Sequence, residues 1–536
     1  MSTDTDAPAV DPEAEAFAGA ARVGMTLAHW ATRQPDLPAF TSPLGDRTFA
    51  ELNANANRVV RVLRAAGLRP GDGVALMVAN RPAFAEVWAA TQRSGLRLTT
   101  INWHLTGEEA AYIVGDCRAK AFIADVRFAE VAADAARRSG VGVRLVVGGA
   151  DAPGPAPGGD TAIAGFASYE DAIAAEDGSD IDDPVLGSSM LYTSGTTGRP
   201  KGVHRSQPPV TSTSGLFGYV PGESVNLVTG PLYHAAPLAF SLALPMAAGV
   251  SSVVMDRWTP EETLALIERH RVTHAHLVPT MFHRLLRLPE EVRARADVSS
   301  LRFVLHGAAP CPVTVKQAII DWWGPVVTEY YAATEGVGTF VGSAEWLARP
   351  GTVGRSAPGH VRILDPVSGD EVPTGEVGTV YLRAPAVGRF DYYGDEAKTA
   401  GSYRGDYYTM GDVGYLDADG YLFLTDRSAD LIISGGVNVY PAEVEAALLS
   451  HPAVGDAAVI GVPDDEWGEV VVAVVEPGAG VAATDELAAE LVAHCRDRLA
   501  NYKCPRRVDF THHMPRTDSG KLYKRRLRDE YRERRG

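Results

Sequence analysis

One run of twelve residues constrains this chain more than any other: Leu191-Tyr192-Thr193-Ser194-Gly195-Thr196-Thr197-Gly198-Arg199-Pro200-Lys201-Gly202. An apolar strand end, Met190-Leu191-Tyr192, gives way at once to small hydroxyl and glycine residues. Successive small residues let backbone N–H groups converge on an anion, the hydroxyls add donors, and a lysine follows as a point charge. The run is not a Walker loop, because the Gly-x-x-x-x-Gly-Lys-Ser/Thr order is missing and Pro200 breaks any immediate helix.

The surrounding sequence alternates strand and helix signals. Phe49-Ala50-Glu51-Leu52 opens a helix running toward Leu63, Val74 to Val78 reads as a short buried strand, and a helix follows from Pro82 to about Gly95. Thr259-Pro260-Glu261-Glu262 carries a cap and a proline at the first helical position, Leu264 and Ile267 share a face, and Val272 to Val278 reads as a strand ended by Pro279. Such alternation implies stacked α/β layers with largely parallel sheets. Residues 148–166, rich in Gly, Ala, Pro and Asp, read as a surface loop. From about residue 427 the texture changes: Leu431 to Ile433 and Val470 to Val475 read as strands, and Asp485 to Leu499 as a helix with Leu487, Leu491 and Leu499 on one side.

Length and charge narrow the class. A chain of 536 residues needs at least two domains. The net charge of −17 argues against a nucleic-acid binder. The last stretch departs from that balance: from Lys503 onward 12 Lys/Arg face 5 Asp/Glu, a net +7 suited to attracting a polyanionic cofactor as well as to a solvated face. Four cysteines (Cys117, Cys311, Cys495, Cys504) make neither a disulfide framework nor a C-x-x-C zinc pair, so a reduced, cytoplasmic setting is expected. The first 20 residues carry five acids and no base, unlike a signal peptide, and the Arg535-Gly536 end is no peroxisomal or prenylation tail. Ser224 to Met255 holds no charged residue, but Pro231, Pro237 and Pro245 interrupt it, so a buried strand and helix are expected rather than stable membrane insertion.

Other motifs follow the anion loop in order: Tyr331-Ala332-Ala333-Thr334-Glu335, Gly351-Thr352-Val353-Gly354-Arg355, Tyr408-Thr409-Met410-Gly411-Asp412, Asp426-Arg427-Ser428-Ala429-Asp430 and Pro515-Arg516-Thr517-Asp518-Ser519-Gly520-Lys521. Together, in register over nearly the whole chain, they resemble the adenylate-forming superfamily of acyl-CoA synthetases, luciferases and adenylation domains. The resemblance implies an α/β fold: a large N-terminal domain of stacked layers, 1–427, and a small, mobile α+β lid, 428–536.

It also implies roles for single residues. Thr193, Ser194, Gly195, Thr196, Thr197 and Lys201 would cradle the phosphates of ATP. Glu335 would bind Mg²⁺, a hard cation suited to carboxylate and phosphate oxygens. Thr334 would contact the α-phosphate, Tyr331 would stack on adenine, and Asp412, with Arg427 beside it, would take the ribose hydroxyls. Lys521 would bridge the attacking carboxylate and the α-phosphate, where charge develops. His234 matches the residue that gates the acyl pocket. Gly307, in His306-Gly307-Ala308-Ala309-Pro310, and Ala332 would line it. Gly435, Gly436 and Trp467 would line the pantetheine channel for coenzyme A.

Within that superfamily, Leu232 to Ala243 offers no acid to pair an amino-acid substrate's ammonium. The 15 residues between Glu335 and Gly351 leave no room for the insertion usual in fatty acyl-AMP ligases. Nothing asks for an oxygenating luciferase. The expectation is an acyl-CoA ligase acting on an apolar carboxylic acid, of an actinobacterial fatty-acyl or specialised-metabolite type; a homodimer is left open. Two departures stand out. Ala332 replaces the family's glycine after the tyrosine, costing about 1 kcal/mol if that backbone needs positive φ and otherwise narrowing, with its methyl, the wall beside the acyl group and α-phosphate. Ala429 replaces the usual Asp or Lys of the hinge. They keep open a ligase specialised for thioesterification of a preformed acyl-AMP. A non-catalytic acyl-adenylate-binding protein is a further alternative, opposed by intact Lys201, Glu335, Asp412 and Lys521.

Overall fold

The computed structural model describes residues 12–148, 163–193, 200–205, 217–427, 430–434, 437–464, 467–516 and 522–533. Of the surface-loop reading at 148–166, residues 149–162 lie outside them, and the end of the stretch departs from it: Ile163 and Phe166 are buried in the core with Phe122, because their apolar side chains pack there rather than face water. By packing, the chain resolves into two compact units: Met1–His276 with Ala296–Phe303 and Ala386–Glu396, and Leu277–Arg295 with Val304–Pro385 and Ala397–Gly536.

The first unit is built on a six-stranded parallel sheet. Its strands run Ala167–Ser168, Val143–Val147, Ala119–Asp125, Gly73–Met77, Arg97–Thr100 and Ser188–Ser189 across the sheet. Alternation along each strand serves two cores. Val74, Leu76, Ala121 and Ile123 pack with the helices Phe49–Ala65 and Pro82–Arg93. Ala75, Met77, Phe122 and Ala124 pack with Gly107–Asp116 and Ala129–Ser139. The first helix starts where Thr48 and Glu51 form a reciprocal capping box.

The same unit holds the parallel strands His274–Leu277, Val225–Val228, Ser251–Val254 and Pro38–Ser42, with Gly45–Thr48 antiparallel at the end. The charge-free stretch Ser224 to Met255 therefore supplies two of these strands, joined through a π-helical turn, Pro237–Ala243, and a helical turn, Leu244–Ala247. No described helix is long and apolar enough to cross a membrane. Thr259 caps the helix Pro260–His270 through Glu262 N, and Leu264 and Ile267 are buried. Pro279 has another role than strand terminator. The strand ends at Leu277, and the proline occupies the first turn of a new helix, Pro279–Leu286, where its missing N–H costs nothing.

The second unit contains a mainly antiparallel sheet in the order Val361–Leu364, Gly378–Arg383, Tyr407–Leu416, Tyr421–Arg427, Gly354–Arg355, Gly336–Gly342, Val327–Ala333, then Phe303–His306 parallel to its neighbour. Its C-terminal part is a five-stranded sheet dominated by the pair Val454–Asp464 and Gly468–Pro477. Val459, Val471 and Ala473 pack with the helices Pro441–Leu449 and Asp485–Arg496 on one face; Ile460, Val472 and Val474 meet Leu527 and Tyr531 of the helix Lys524–Glu533 on the other. Leu487 and Leu491 are buried as expected, whereas Leu499 follows the end of its helix.

Candidate active site

In the second unit, Tyr331 and Asp412 come from strands far apart in sequence. The Tyr331 hydroxyl donates to Oδ2 of Asp412 at 2.6 Å, and both residues are buried. Asp412 stands at a turn in its strand's path: Gly411 has φ 81°, and its N–H donates to Thr409 Oγ1 at 3.0 Å. Across the ladder Asp412 pairs in register with Arg427. A carboxylate offers about four lone-pair sites, enough for both hydroxyls of a vicinal diol beside the phenol. The sequence reading assigned Tyr331 an aromatic role; its hydroxyl adds a second one, orienting Asp412.

Thr334 and Glu335 form the two-residue turn of the hairpin Val327–Ala333/Gly336–Gly342, where Ala333 pairs with Gly336. Both side chains are half-buried. The next residue must be glycine, because a Cβ at Gly336 would lie 2.0 Å from the Tyr408 hydroxyl oxygen. Among the described residues no group of three or more His, Cys, Asp and Glu side chains is placed to hold a metal ion. A carboxylate such as Glu335 suits a magnesium ion held jointly with substrate phosphates rather than by an all-protein cage.

Ala332 follows a bulge, where the register shifts between Tyr331 and Ala332. Its backbone is not in the left-handed region: the described non-glycine residues with positive φ are Arg118, Arg271 and Ala308. The strain that would follow from positive φ is therefore absent at Ala332. It sits two residues downstream of His306 instead, at Ala308, with φ 66°. Gly307 permits a close backbone approach, since a Cβ there would stand 2.5 Å from Tyr330 O.

Behind this segment lies a buried pair that the sequence did not announce. Lys316 Nζ meets Glu329 Oε2 at 2.6 Å, neither side chain more than 8% exposed, and the ammonium also lies 4.7 Å from the Trp346 ring centre. His306, opposite Glu329 in register, places Nε2 3.8 Å from the same oxygen. Burial pushes the Glu329 carboxyl up and the Lys316 ammonium down, and each partner opposes the other's shift. Trp467 is 36% exposed, with the Arg506 guanidinium 4.1 Å above its ring.

In the first unit, Thr193 and Lys201 face each other in the antiparallel pair Leu191–Thr193/Lys201–His204. Lys201 Nζ lies 2.9 Å from Oδ2 of Asp395, which holds the ammonium above the ordinary lysine range. The helix Gly107–Asp116 touches both strands: Tyr112 OH donates to Pro200 O at 3.3 Å, and Asp116 accepts from Tyr192 OH at 2.5 Å.

His234 ends the turn Pro231-Leu232-Tyr233-His234. Asn80 accepts from Leu232 N at 2.9 Å and donates to Gly230 O at 3.0 Å, while Thr100 donates to Tyr233 O at 2.8 Å. The Tyr233 ring stands edge-on to Trp103, 4.4 Å between centroids. These bonds hold the backbone that leads into His234, just before the π-helical turn, a distortion frequent at functional sites.

The structure thus joins Tyr331 to Asp412 and sets Thr334 and Glu335 on the same hairpin; separately it pairs Thr193 with Lys201. Ser194, Gly195, Thr196, Thr197, Gly435, Gly436, Ala429 and Lys521 lie outside the described residues, and of Arg427 only the backbone is described. Sequence reasoning missed Asp395, Asn80, Lys316 and Glu329. None belongs to a local pattern, and each acquires its partner only through the fold.

Comparison with known proteins places these motifs in context. Residues 27–390 match the family described as AMP-binding enzyme, and residues 443–521 the AMP-binding enzyme C-terminal domain. A feruloyl-CoA synthase of Amycolatopsis sp is 36% identical over 491 residues, 90% of this chain and 94% of that protein. The long-chain fatty acid–CoA ligase FadD13 of Mycobacterium tuberculosis is 33% identical over 527 residues, 95% of this chain and 98% of its own. Among solved structures, the anthranilate CoA ligase AuaEII in complex with anthranoyl-AMP superposes with a TM-score of 0.82 at 26% identity, covering 95% of this chain and 97% of that one.

Proposed function

The chain belongs to the AMP-binding enzyme family, and from that premise we propose that it is an ATP-dependent acyl-CoA ligase for an apolar carboxylic acid. The observation that carries the reading is the buried Tyr331–Asp412 pair, a diol acceptor on the strand that leads into the Thr334-Glu335 turn. The reading is further supported by relatives named as CoA ligases over nine-tenths or more of the chain.

The reaction has two halves. A substrate carboxylate oxygen bonds to the α-phosphorus of ATP as the bond to pyrophosphate breaks; the CoA sulfur then bonds to the acyl carbon as AMP leaves. In the first, two anions must meet, so charge neutralisation and alignment dominate. Asp412, oriented by Tyr331, fixes the ribose; Thr334 contacts the α-phosphate; Lys201 with Thr193 to Thr197 takes the outer phosphates; Lys521 stabilises charge between the reacting carboxylate and α-phosphate. Glu335 would hold Mg²⁺, which supplies neutralisation of phosphate charge. His234, Gly307 and Ala332 border the acyl group, and Trp467 with Gly435 and Gly436 the pantetheine arm. We place the working division at 427/428, residues 1–427 bearing the adenylate site and 428–536 acting as a lid. The C-terminal family match within 443–521 is in keeping with it. Four free cysteines suit a cytoplasmic setting.

For a ligase without efficient adenylation, the strain argument falls away, since Ala332 is not in the left-handed region; the narrowing by its methyl and the Ala429 departure remain. The test separates the halves. MgATP and a panel of ferulate, a long-chain fatty acid and polycyclic acids are assayed for pyrophosphate release, and synthetic acyl-AMPs with CoA for AMP release. Activity in both arms is expected, with Lys521→Ala losing far more of the first. Silence of the first arm on every acid, or equal losses in both arms for the variant, overturns the reading or the Lys521 assignment respectively.

A further inference from the structure

Asp395 lies far along the sequence from the anion loop, yet the fold gives it a fixed place beside Lys201. The short strand Asp391–Tyr392 pairs with Lys201–His204, Tyr392 opposite Val203. Tyr393 N donates to Gly202 O at 2.8 Å, and Asp395 N closes a turn onto Tyr392 O at 2.9 Å. The Tyr393 ring carries Arg97 at 4.9 Å and Arg118 at 5.6 Å, and Asp391 holds His204 Nδ1 at 3.1 Å. The chain leading into Asp395 is therefore anchored through Asp391, Tyr392 and Tyr393.

The strand that carries Lys201 is held as firmly. The bonds from Tyr112 to Pro200 and from Tyr192 to Asp116 tie both legs of the loop to one helix. What can move without breaking backbone pairing is the four-carbon lysine stem, whose ammonium rotates easily between partners. Both Lys201 and Asp395 side chains are 25% exposed, so an arriving anion can reach the pair.

We propose that Asp395 is a resident counter-anion for Lys201, a positioning residue that competes with the outer phosphates for its ammonium and takes it back as pyrophosphate departs. The inference rests on the reading of Lys201 as a phosphate contact. With Asp395 present, polyphosphate binds by exchange against a carboxylate 2.9 Å away and meets that carboxylate's repulsion. Without it, the ammonium is committed to phosphate alone. A partly exposed ion pair weakens a competing anion by up to about fivefold. The device thus eases product release at some expense in ATP affinity.

The test is calorimetric titration of the full chain with magnesium pyrophosphate and, separately, with AMP, which lacks the outer phosphates. Asp395→Asn keeps the shape of the turn and removes the charge; it is expected to bind pyrophosphate about fivefold more tightly and AMP within about twofold of wild type. Asp395→Glu is expected to restore wild-type pyrophosphate affinity. Unchanged or weaker pyrophosphate binding in Asp395→Asn overturns the inference, as does a parallel change for AMP, which marks a merely structural role. Should Asp395→Asn fail to fold, Asp395→Ser carries the same comparison. A wild-type protein that binds neither ligand overturns the underlying reading of the site instead.

Discussion

The hydroxyl of Tyr331 donates to the carboxylate of Asp412 across 2.6 Å, joining the strand before the Thr334-Glu335 turn to the strand after Gly411. A hydrogen bond to a buried charged group is worth about 1.5–3 kcal/mol, so this contact holds the Asp412 carboxylate in one orientation.

Tyr331→Phe keeps the ring and removes that donor. The KM for MgATP is expected to rise about tenfold in acid-dependent pyrophosphate release, with a smaller change in kcat. A drop in kcat at constant KM would instead assign the hydroxyl to the transition state.

Lys316 and Glu329 form the pair whose loss should hurt most. Lys316→Met strands a buried carboxylate and is expected to cost about 3–5 kcal/mol, whereas Lys316→Met combined with Glu329→Leu should recover most of it. Denaturant unfolding of both variants checks this. A double variant as unstable as the single one would show that the pair contributes more than mutual compensation.

Glycine should act oppositely at two alanines. Ala308 has φ 66°, so Ala308→Gly relieves strain and is expected to stabilise by about 1 kcal/mol. Ala332 lies in a strand outside that region, so Ala332→Gly is expected to cost about 0.5–1 kcal/mol. Any wider acid tolerance in Ala332→Gly then comes from the missing methyl, not from relaxed backbone. Thermal melts with the acid panel separate the two effects, and a stabilised Ala332→Gly contradicts them.

Burial pushes the His276 imidazole down to about 4. Below the usual 6.5 the unfolded chain takes up a proton that the folded chain refuses, so stability is full above pH 6.5 and falls as pH drops toward 4. The loss is at most about 3 kcal/mol from this group. Melting midpoints are expected to decline over that window, and less steeply in His276→Gln; an equal slope in the variant would remove His276 as a source.

What the sequence determined by itself was everything carried by local pattern. The unbroken apolar run Val74 to Met77 makes a strand buried on both faces, and Thr259 before Pro260 opens a helix, because these signals act within one or two turns of chain. The ordered motifs from Thr193 to Asp412 likewise pointed to the family, since they stand in short runs legible without the fold. Only the tertiary structure decided which groups meet. It set Asp395 against Lys201, the Tyr331 hydroxyl against Asp412 and Lys316 beneath Glu329, and it moved the backbone strain from Ala332 to Ala308. Charges and hydroxyls carry no periodicity that marks a distant partner. Their pairing follows from strand order and register, which the whole chain must settle before any two such groups come within hydrogen-bond reach.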